Sequence, residues 1–175
     1  MKRITILICL SFLFFGCKKV EKLTKFNIDF TEEIEISPSY PLNLPFNLIT
    51  PNVETNSEAE FAVNNTRKDL VEEIKLLELK LTLNGPSEGN FKFLESIELF
   101  LNAEDLPEVR IAWALEIGDM AGKELILETS DNDLKEYIKK DKFTLRVNTV
   151  TDEVIDEKHY IEIYSNYFVD AKLIQ

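Results

Sequence analysis

The sequence predicts an all-β fold, an antiparallel β-sandwich of immunoglobulin-like type with about eight strands and one or two short helices. Apolar and polar residues alternate with period two in eight segments of the 175-residue chain, which is the pattern of half-buried strands. Each segment has one apolar face, as expected for two antiparallel sheets that pack face to face. A small closed barrel would show the same alternation and stays open as the alternative.

The strands are identified from this alternation in chain order. In the first segment Phe26, Ile28 and Phe30 lie on one side of the chain, with polar residues between them. Prolines flank and interrupt the second segment, which is therefore an edge strand or an extended loop, because proline cannot donate to a β-ladder. The last strand can continue past a bend towards residue 173. The predicted strands cover residues 26–36, 42–48, 77–83, 91–101, 109–115, 125–129, 143–149 and 159–163.

Two short helices are predicted beside capping residues. Residues 52–65 are polar and are expected to form a loop. Thr66, with Asp69 three positions later, is an N-cap signal for one or two helical turns that follow it. Asp131 is the expected N-cap of a second helix over 131–140. The predicted inner face of that helix consists of Leu134, Tyr137 and Ile138.

Trp113, the only tryptophan, is predicted to lie in the core. On a regularly alternating strand it shares its side with Ile111 and Leu115, while Arg110 lies on the opposite side. A buried tryptophan would contribute a large apolar area to a sandwich core. The alternative is a surface tryptophan that stacks against a ligand.

The N-terminus carries a separate signal. A basic start is followed by an apolar run over 4–15 and then by Gly16, as in a secretory signal peptide. The run is shorter than the roughly 20 residues that a membrane span needs. Phe14-Phe15-Gly16-Cys17 resembles the lipobox of bacterial lipoproteins, although the two phenylalanines depart from its commonest form. The resemblance implies that the thiol of Cys17 is acylated. An ordinary secreted protein is the alternative.

The lipoprotein resemblance also implies the domain organisation and the location. Residues 1–16 would be a signal peptide, 17–25 a lipidated cysteine with a short tether, and 26–175 a single sandwich domain that matches no characterised family. Residues 18–25, fully extended, reach at most about 28 Å, so the domain is expected close to the membrane. Lys18 after the cysteine implies passage to the outer membrane, with the domain on the periplasmic face.

Charge and cysteine content exclude several classes of function. The net charge of −12 becomes −14 once the signal peptide, with Lys2 and Arg3, is removed. An acidic chain of this kind is not expected to bind nucleic acid or anionic lipid, both of which demand basic surface. The expected partners are the membrane, through the lipid anchor, and an envelope protein. Cys9 leaves with the signal peptide, so no thiol pair remains for a disulfide.

No residue pattern predicts catalysis or a cofactor. His159 is the only histidine and lies in a strand, so we interpret it as structural. One histidine cannot supply a zinc site, which needs three or four histidine or cysteine ligands. Asp131 and Asp133 raise the question of calcium, but the spacing after them fails the EF-hand pattern and suits a helix start. We therefore expect no enzyme activity, no metal and no cofactor.

Aromatic residues near the C-terminus form the one candidate binding surface. Tyr160 and Tyr164 share the side of the last strand opposite to its isoleucines, and Tyr167 follows them. Outward aromatic residues can recognise partners or sugars, although burial between two layers explains them as well. The preferred hypothesis is a binding or assembly module without catalytic activity. The alternative is a carrier of an apolar small molecule or lipid, held in a cavity between the sheets.

Overall fold

Two antiparallel β-sheets form the body of the protein in the computed structural model, which describes residues 25–38, 40–118 and 121–174. The predicted antiparallel β-sandwich is confirmed. Its strands pair within two separate sheets, and no ladder joins one sheet to the other in the described residues. The expected signal peptide over 1–16 and the lipidation site Cys17 lie outside the described residues.

The described residues contain ten strands and two short α-helices, together with two 3₁₀ turns. Nine of the strands correspond to predicted segments or to parts of them, since β7 and β8 divide one predicted segment, and β3 lies in the predicted loop. The elements are β1 Lys25–Ile36, β2 Phe46–Ile49, β3 Val53–Glu54, α1 Ser57–Val63, a 3₁₀ turn Lys68–Leu70, β4 Val71–Gly85, a 3₁₀ turn Phe91–Phe93, β5 Leu94–Asn102, β6 Val109–Ala114, β7 Glu124–Ile126, β8 Glu128–Thr129, α2 Lys135–Ile138, β9 Lys142–Thr151 and β10 His159–Ala171.

The strand order refines the predicted sandwich. One sheet has the order β1-β10-β4-β7, and the other has the order β2-β9-β5-β6-β8, with β3 also paired to β9. The first strand thus pairs with the last, and the chain passes back and forth between the sheets. This is the order of a jelly roll. In the immunoglobulin-like order the first two strands would share a sheet, whereas β1 and β2 here belong to different sheets.

The core lies between the sheets and follows the predicted alternation. In β4 Leu79 and Leu81 are fully buried, and in β5 Ile97 and Leu99 are fully buried as well. The residues between them are at least partly exposed, so each of these strands has one inward face. Burial of each such side chain stabilises the fold by about 1.5–3 kcal/mol relative to exposure.

The prediction for Trp113 is wrong, because a bulge in β6 interrupts the alternation. The register of β6 against β5 shifts where Ala112 pairs with Leu99 and Arg110 pairs with Phe100, which leaves an extra residue between them. Ile111 and Ala112 are consequently both buried. A bulge of this kind moves the following side chains to the other face. Trp113 therefore points outward and is only half-buried.

The helices also depart from the prediction in position. The predicted loop over 52–65 contains α1, which is held by the buried side chain of Phe61, whose ring packs edge-on against Phe26 at 6.2 Å. Thr66 does not cap a helix. Its hydroxyl instead donates a hydrogen bond of 2.6 Å to the carbonyl of Lys172. Tertiary packing thus overrides the local capping signal.

The second helix is shorter than predicted and starts later. The backbone N–H of Lys135, at the start of α2, donates a 3.1 Å hydrogen bond to Oδ1 of Asp133, and Asp131 plays no capping role. The predicted inner face is confirmed, since Leu134 and Ile138 are fully buried and Tyr137 packs against the core.

Candidate functional site

The predicted aromatic surface is divided between the two faces of β10. Tyr160 is 39% exposed and Tyr164 is half-buried, both on the outer face of the sheet. Tyr164 accepts a 3.3 Å hydrogen bond from the Asn166 amide. Tyr167 is fully buried and faces the core, so it cannot belong to a surface. Phe168, which the sequence interpretation did not select, is the outward and half-buried residue at that level.

A concavity lies at the end of the sandwich where β4 finishes and β10 begins. It is an open cleft of about 540 Å³, lined by loop residues 86–90, by residues of the 153–157 loop, and by Phe93 and His159. We call it the end cleft. Loops positioned by a rigid scaffold are the usual location of binding residues. Tyr160 is next to His159 in the chain and pairs with Gly85, so the predicted surface comes nearest to this cleft at Tyr160.

Four carboxylates line the end cleft, with no lysine or arginine among its lining residues. They are Glu88, Glu153, Asp156 and Glu157, and none of them forms an ion pair in the part of the chain that the structure describes. Like charges that converge on one concavity lower its electrostatic potential and favour cations there. The cleft therefore presents unpaired negative charge to solvent.

The nearby lysine of the same loop is engaged elsewhere. Nζ of Lys158 lies 2.9 Å from Oε1 of Glu35, at the end of β1. The hydrogen bond from Lys158 is the main reason why the pKa of Glu35 lies below its ordinary value. Lys158 is the basic residue nearest in sequence to Glu157 and Asp156, and its ion pair with Glu35 means that it does not neutralise them.

His159 is the most buried titratable residue of the end cleft, with 9% of its surface exposed. Its Nδ1 lies 3.0 Å from the carbonyl oxygen of Glu157. A carbonyl can only accept, so Nδ1 donates the proton in this contact. The His159 side chain thus lines the cleft with its ring held by the neighbouring loop.

The imidazole ring is held in place by packing as well. Its centroid lies 4.3 Å from that of the Phe93 ring, with 51° between the ring planes. The structural role predicted for His159 and a place in the cleft are therefore compatible. The hydrogen bond and the aromatic contact fix the ring at the wall of the cleft.

The loop on the other side of the cleft is anchored at several points. At Gly89 a Cβ atom would lie 2.7 Å from a methyl carbon of Leu83 and 3.0 Å from the carbonyl oxygen of Pro86, so a larger residue would force these neighbours to shift. Nζ of Lys123 donates a hydrogen bond to the carbonyl of Ser87. These contacts hold the 86–90 segment against the end of β4.

One chemistry available to this arrangement is the recognition of cationic groups. Within the described ranges no group of three or more histidine, cysteine or acidic side chains is placed to hold a metal ion. The carboxylate of Asp133, weighed above as a calcium ligand, instead accepts hydrogen bonds from the backbone N–H groups of Ile74 and Lys135. The carboxylates of the cleft are acceptors, and they fit the N–H donors of an ammonium or guanidinium group.

A second concavity lies beside Trp113. It has a volume of about 480 Å³ and includes the exposed side chains of Leu115 and Ile126. The indole N–H already donates a 2.9 Å hydrogen bond to Glu128, and the Arg110 guanidinium lies 4.3 Å from the ring. The indole N–H and one face of the ring are therefore already in contact with protein groups. For this reason the concavity beside Trp113 is a weaker candidate for a binding site than the end cleft.

The end cleft was not predicted from the sequence, in which residues 84–90, with two glycines and a proline, simply indicate a turn. The acidic run over 152–157 is interpreted most simply as a solvated hairpin turn when considered alone. Its meeting with the 86–90 loop depends on the pairing of β10 with β4, two strands far apart in the chain. Only that pairing brings Glu88 to the same concavity as Glu153 and Asp156.

The part of the chain that the structure describes contains no helix that is both long and apolar enough to cross a membrane.

Comparison with known proteins identifies no family. No protein-family model and no curated protein match the chain. Among solved structures, a "putative secreted protein" from Eubacterium rectale is similar with a TM-score of 0.44 and 12% identity over 86% of this chain, which spans 41% of that protein. Cocksfoot mottle virus gives a TM-score of 0.30 at 9% identity, over 86% of each chain. Turnip yellow mosaic virus gives 0.28 at 8% identity, over 86% of this chain and 97% of that one. Similarities at this level carry no argument about function.

Proposed function

We propose that this protein is a cell-envelope lipoprotein whose β-sandwich is a binding module without catalytic activity, and that its end cleft binds a positively charged segment of an envelope partner. The observation that carries the proposal is the presence of four unpaired carboxylates around one cleft, beside the buried ring of His159. Cationic side chains of a partner would supply the ion pairs and hydrogen-bond donors that the cleft lacks.

The lipoprotein part of the proposal depends on the N-terminal sequence. Cys17 would carry the lipid, and Lys18 favours the outer membrane, with the domain on its periplasmic face. β1 begins at Lys25, shortly after that cysteine, and ends at the level of the cleft. A membrane-anchored module built this way would hold its binding loops at the end of β1 that lies further from the anchor.

The carrier hypothesis receives no comparable support. A carrier needs an apolar cavity between the sheets. The concavities described above lie at an end and at an edge of the sandwich, and acidic residues line both. The inward side chains of β4 and β5, such as Leu81 and Leu99, are fully buried in one continuous cluster.

The proposal is tested by binding of a fluorescent oligolysine peptide to the folded domain. In the cleft variant, Glu153→Gln, Asp156→Asn and Glu157→Gln remove three charges with little change in shape. We expect its affinity to fall about tenfold, because three exposed ion pairs of about 0.5 kcal/mol each sum to roughly 1.5 kcal/mol. Binding to the wild type should weaken as salt is added.

A matched control separates the cleft from net charge. Glu60→Gln, Glu104→Gln and Asp105→Asn also remove three exposed charges that form no ion pair in the described residues, away from the end cleft. This control should keep most of the wild-type affinity. If the two triple variants weaken binding equally, the peptide senses only the overall charge and the cleft is not a binding site.

A further inference from the structure

The end of the sandwich opposite to the end cleft is built around the start of β1. Lys25 pairs with Asp170 near the end of β10, and their side chains form an ion pair of 3.5 Å. The next residue, Phe26, packs its ring against Phe61 of α1. The first residues of the described chain, α1 and the C-terminal segment thus belong to one end of the molecule.

Two aliphatic side chains are exposed at this end. Val63, the last residue of α1, is 75% exposed, and Ile174 is 52% exposed. Ile174 lies beside α1, because its backbone N–H donates a 3.0 Å hydrogen bond to the carbonyl of Asn65. The hydrogen bond from Thr66 to Lys172 holds the same two segments together. We call the surface made by Val63, Ile174 and Lys25 the base surface.

We propose that the base surface contacts the lipid bilayer, an inference that rests on the proposed lipidation of Cys17. The segment over 18–25 reaches at most about 28 Å, and it enters the fold at Lys25, on the base surface itself. Whatever the path of this segment, the bilayer lies within that distance of Lys25. Exposed aliphatic side chains gain from leaving water for the apolar part of the bilayer boundary.

The length of the sandwich keeps the other end away from the bilayer. The 12 residues of β1 span about 40 Å at 3.3 Å per residue, from the base surface to the level of the end cleft. Because this distance exceeds the Debye length of about 8 Å at physiological salt, the acidic cleft is screened from the repulsion that anionic headgroups would exert at close range. The base surface therefore faces the bilayer, and the cleft faces the partner.

Two valines at opposite ends provide a matched test. Val63 on the base surface is 75% exposed, and Val154 at the end cleft is 74% exposed. Val63→Cys and Val154→Cys each place one reactive thiol in the lipidated chain, because Cys17 would be acylated and Cys9 removed. Each variant is labelled with a fluorophore and reconstituted into vesicles of phosphatidylethanolamine and phosphatidylglycerol, a fraction of which carries a nitroxide quencher on the acyl chains.

We expect the label at position 63 to lose most of its fluorescence in nitroxide vesicles and the label at position 154 to keep nearly all of it. Equal quenching of the two labels, or stronger quenching at 154, would overturn the bilayer contact while leaving the lipid anchor intact. Sedimentation with the vesicles is scored separately for each variant. Labelled protein that stays in the supernatant would contradict the anchor and the base contact together.

Discussion

The indole Nε1 of Trp113 donates a 2.9 Å hydrogen bond to Oε2 of Glu128 across the pair formed by β6 and β8. The Arg110 guanidinium lies over the same ring at 4.3 Å. These contacts belong to the outer face of the sheet, where solvent screens charged interactions. Trp113 thus stabilises an edge of the sandwich and does not fill its core.

Replacement of Trp113 by alanine should therefore cost less than a core truncation. We expect Trp113→Ala to lower the free energy of unfolding by about 1–2 kcal/mol, from one cation–π contact and one charged hydrogen bond. Phe143→Ala, at a residue only 2% exposed, should cost about 3–5 kcal/mol. Urea denaturation of both variants makes the comparison. Equal losses would mean that the indole is packed as core.

The carboxylate of Asp133 links α2 to β4 through backbone hydrogen bonds and an ion pair. Its Oδ1 accepts from the N–H groups of Ile74 and Lys135 at 3.1 Å each, and Oδ2 lies 3.0 Å from Nζ of Lys135. Partial burial raises the pKa of Asp133, but these hydrogen bonds outweigh it and hold that pKa below its ordinary value. We expect Asp133→Ala to cost about 1–2 kcal/mol at neutral pH.

The effect of Asp133 should depend on pH with a defined sign. A carboxyl group with a lowered pKa in the folded state stabilises the protein above its unfolded pKa of about 3.9, and that contribution is lost as the pH falls through the folded value. Asp133→Asn keeps an acceptor oxygen but removes the charge. Its stability should therefore approach that of the wild type below about pH 4. Asp131→Asn, at a residue with no hydrogen bond in the described ranges, should change stability by less than about 0.5 kcal/mol. A difference for Asp133→Asn that persists unchanged at low pH would contradict the charge effect.

Removal of the Tyr167 hydroxyl is not expected to lower the stability of the fold, unlike the substitutions of Trp113 and Asp133. Its hydroxyl is buried and makes no hydrogen bond of good geometry among the described residues. Burial raises its pKa, against a smaller opposing contribution from the Ser165 side chain. An unpaired buried hydroxyl costs about 1–3 kcal/mol of desolvation. Tyr167→Phe should therefore leave the protein as stable or raise its melting temperature. Tyr164→Phe, on the outer face, should be nearly neutral. A clear loss of stability in Tyr167→Phe would show that the hydroxyl has a partner.

The lipid anchor predicts a change of location without a change of fold. Cys17→Ser should move the protein from the membrane fraction to the soluble fraction, because serine has no thiol to acylate. The sandwich depends on contacts from Lys25 onwards, so the circular dichroism spectrum and melting temperature of the released domain should match those of the detergent-extracted protein. Continued sedimentation with membranes would contradict the lipoprotein interpretation.

The strands of this fold could be predicted from local pattern, because alternation reports which side of a strand is buried. The prediction is wrong where the pairing of two strands interrupts the regular alternation of buried and exposed residues. The bulge at Ile111 and Ala112 is visible only in the register of β6 against β5, and it reverses the side on which Trp113 lies. Likewise, α1 forms in a polar segment because Phe61 meets Phe26 from a distant part of the chain.

The candidate site was less predictable than the fold. Tyr160 and Tyr164 lie on the outer face, as the alternation predicts. Tyr167 lies an odd number of residues from both of them, so it is on the inward side of β10 and cannot belong to the same surface. The end cleft combines charges from two loops that are each ordinary turns in the sequence. Their meeting is a property of strand order, which residue patterns do not encode locally.

Amide chemical shifts of the folded domain, recorded while the oligolysine peptide is added, test the binding site most directly. The isotope-labelled chain would lack the signal peptide and carry Cys17→Ser. We predict that the largest shifts fall on Gly89, Val154 and His159, and that they are absent from the triple cleft variant. Shifts concentrated instead at the Trp113 indole or at Tyr164, with the cleft resonances unmoved, would contradict the proposal that the end cleft is where this protein recognises its partner.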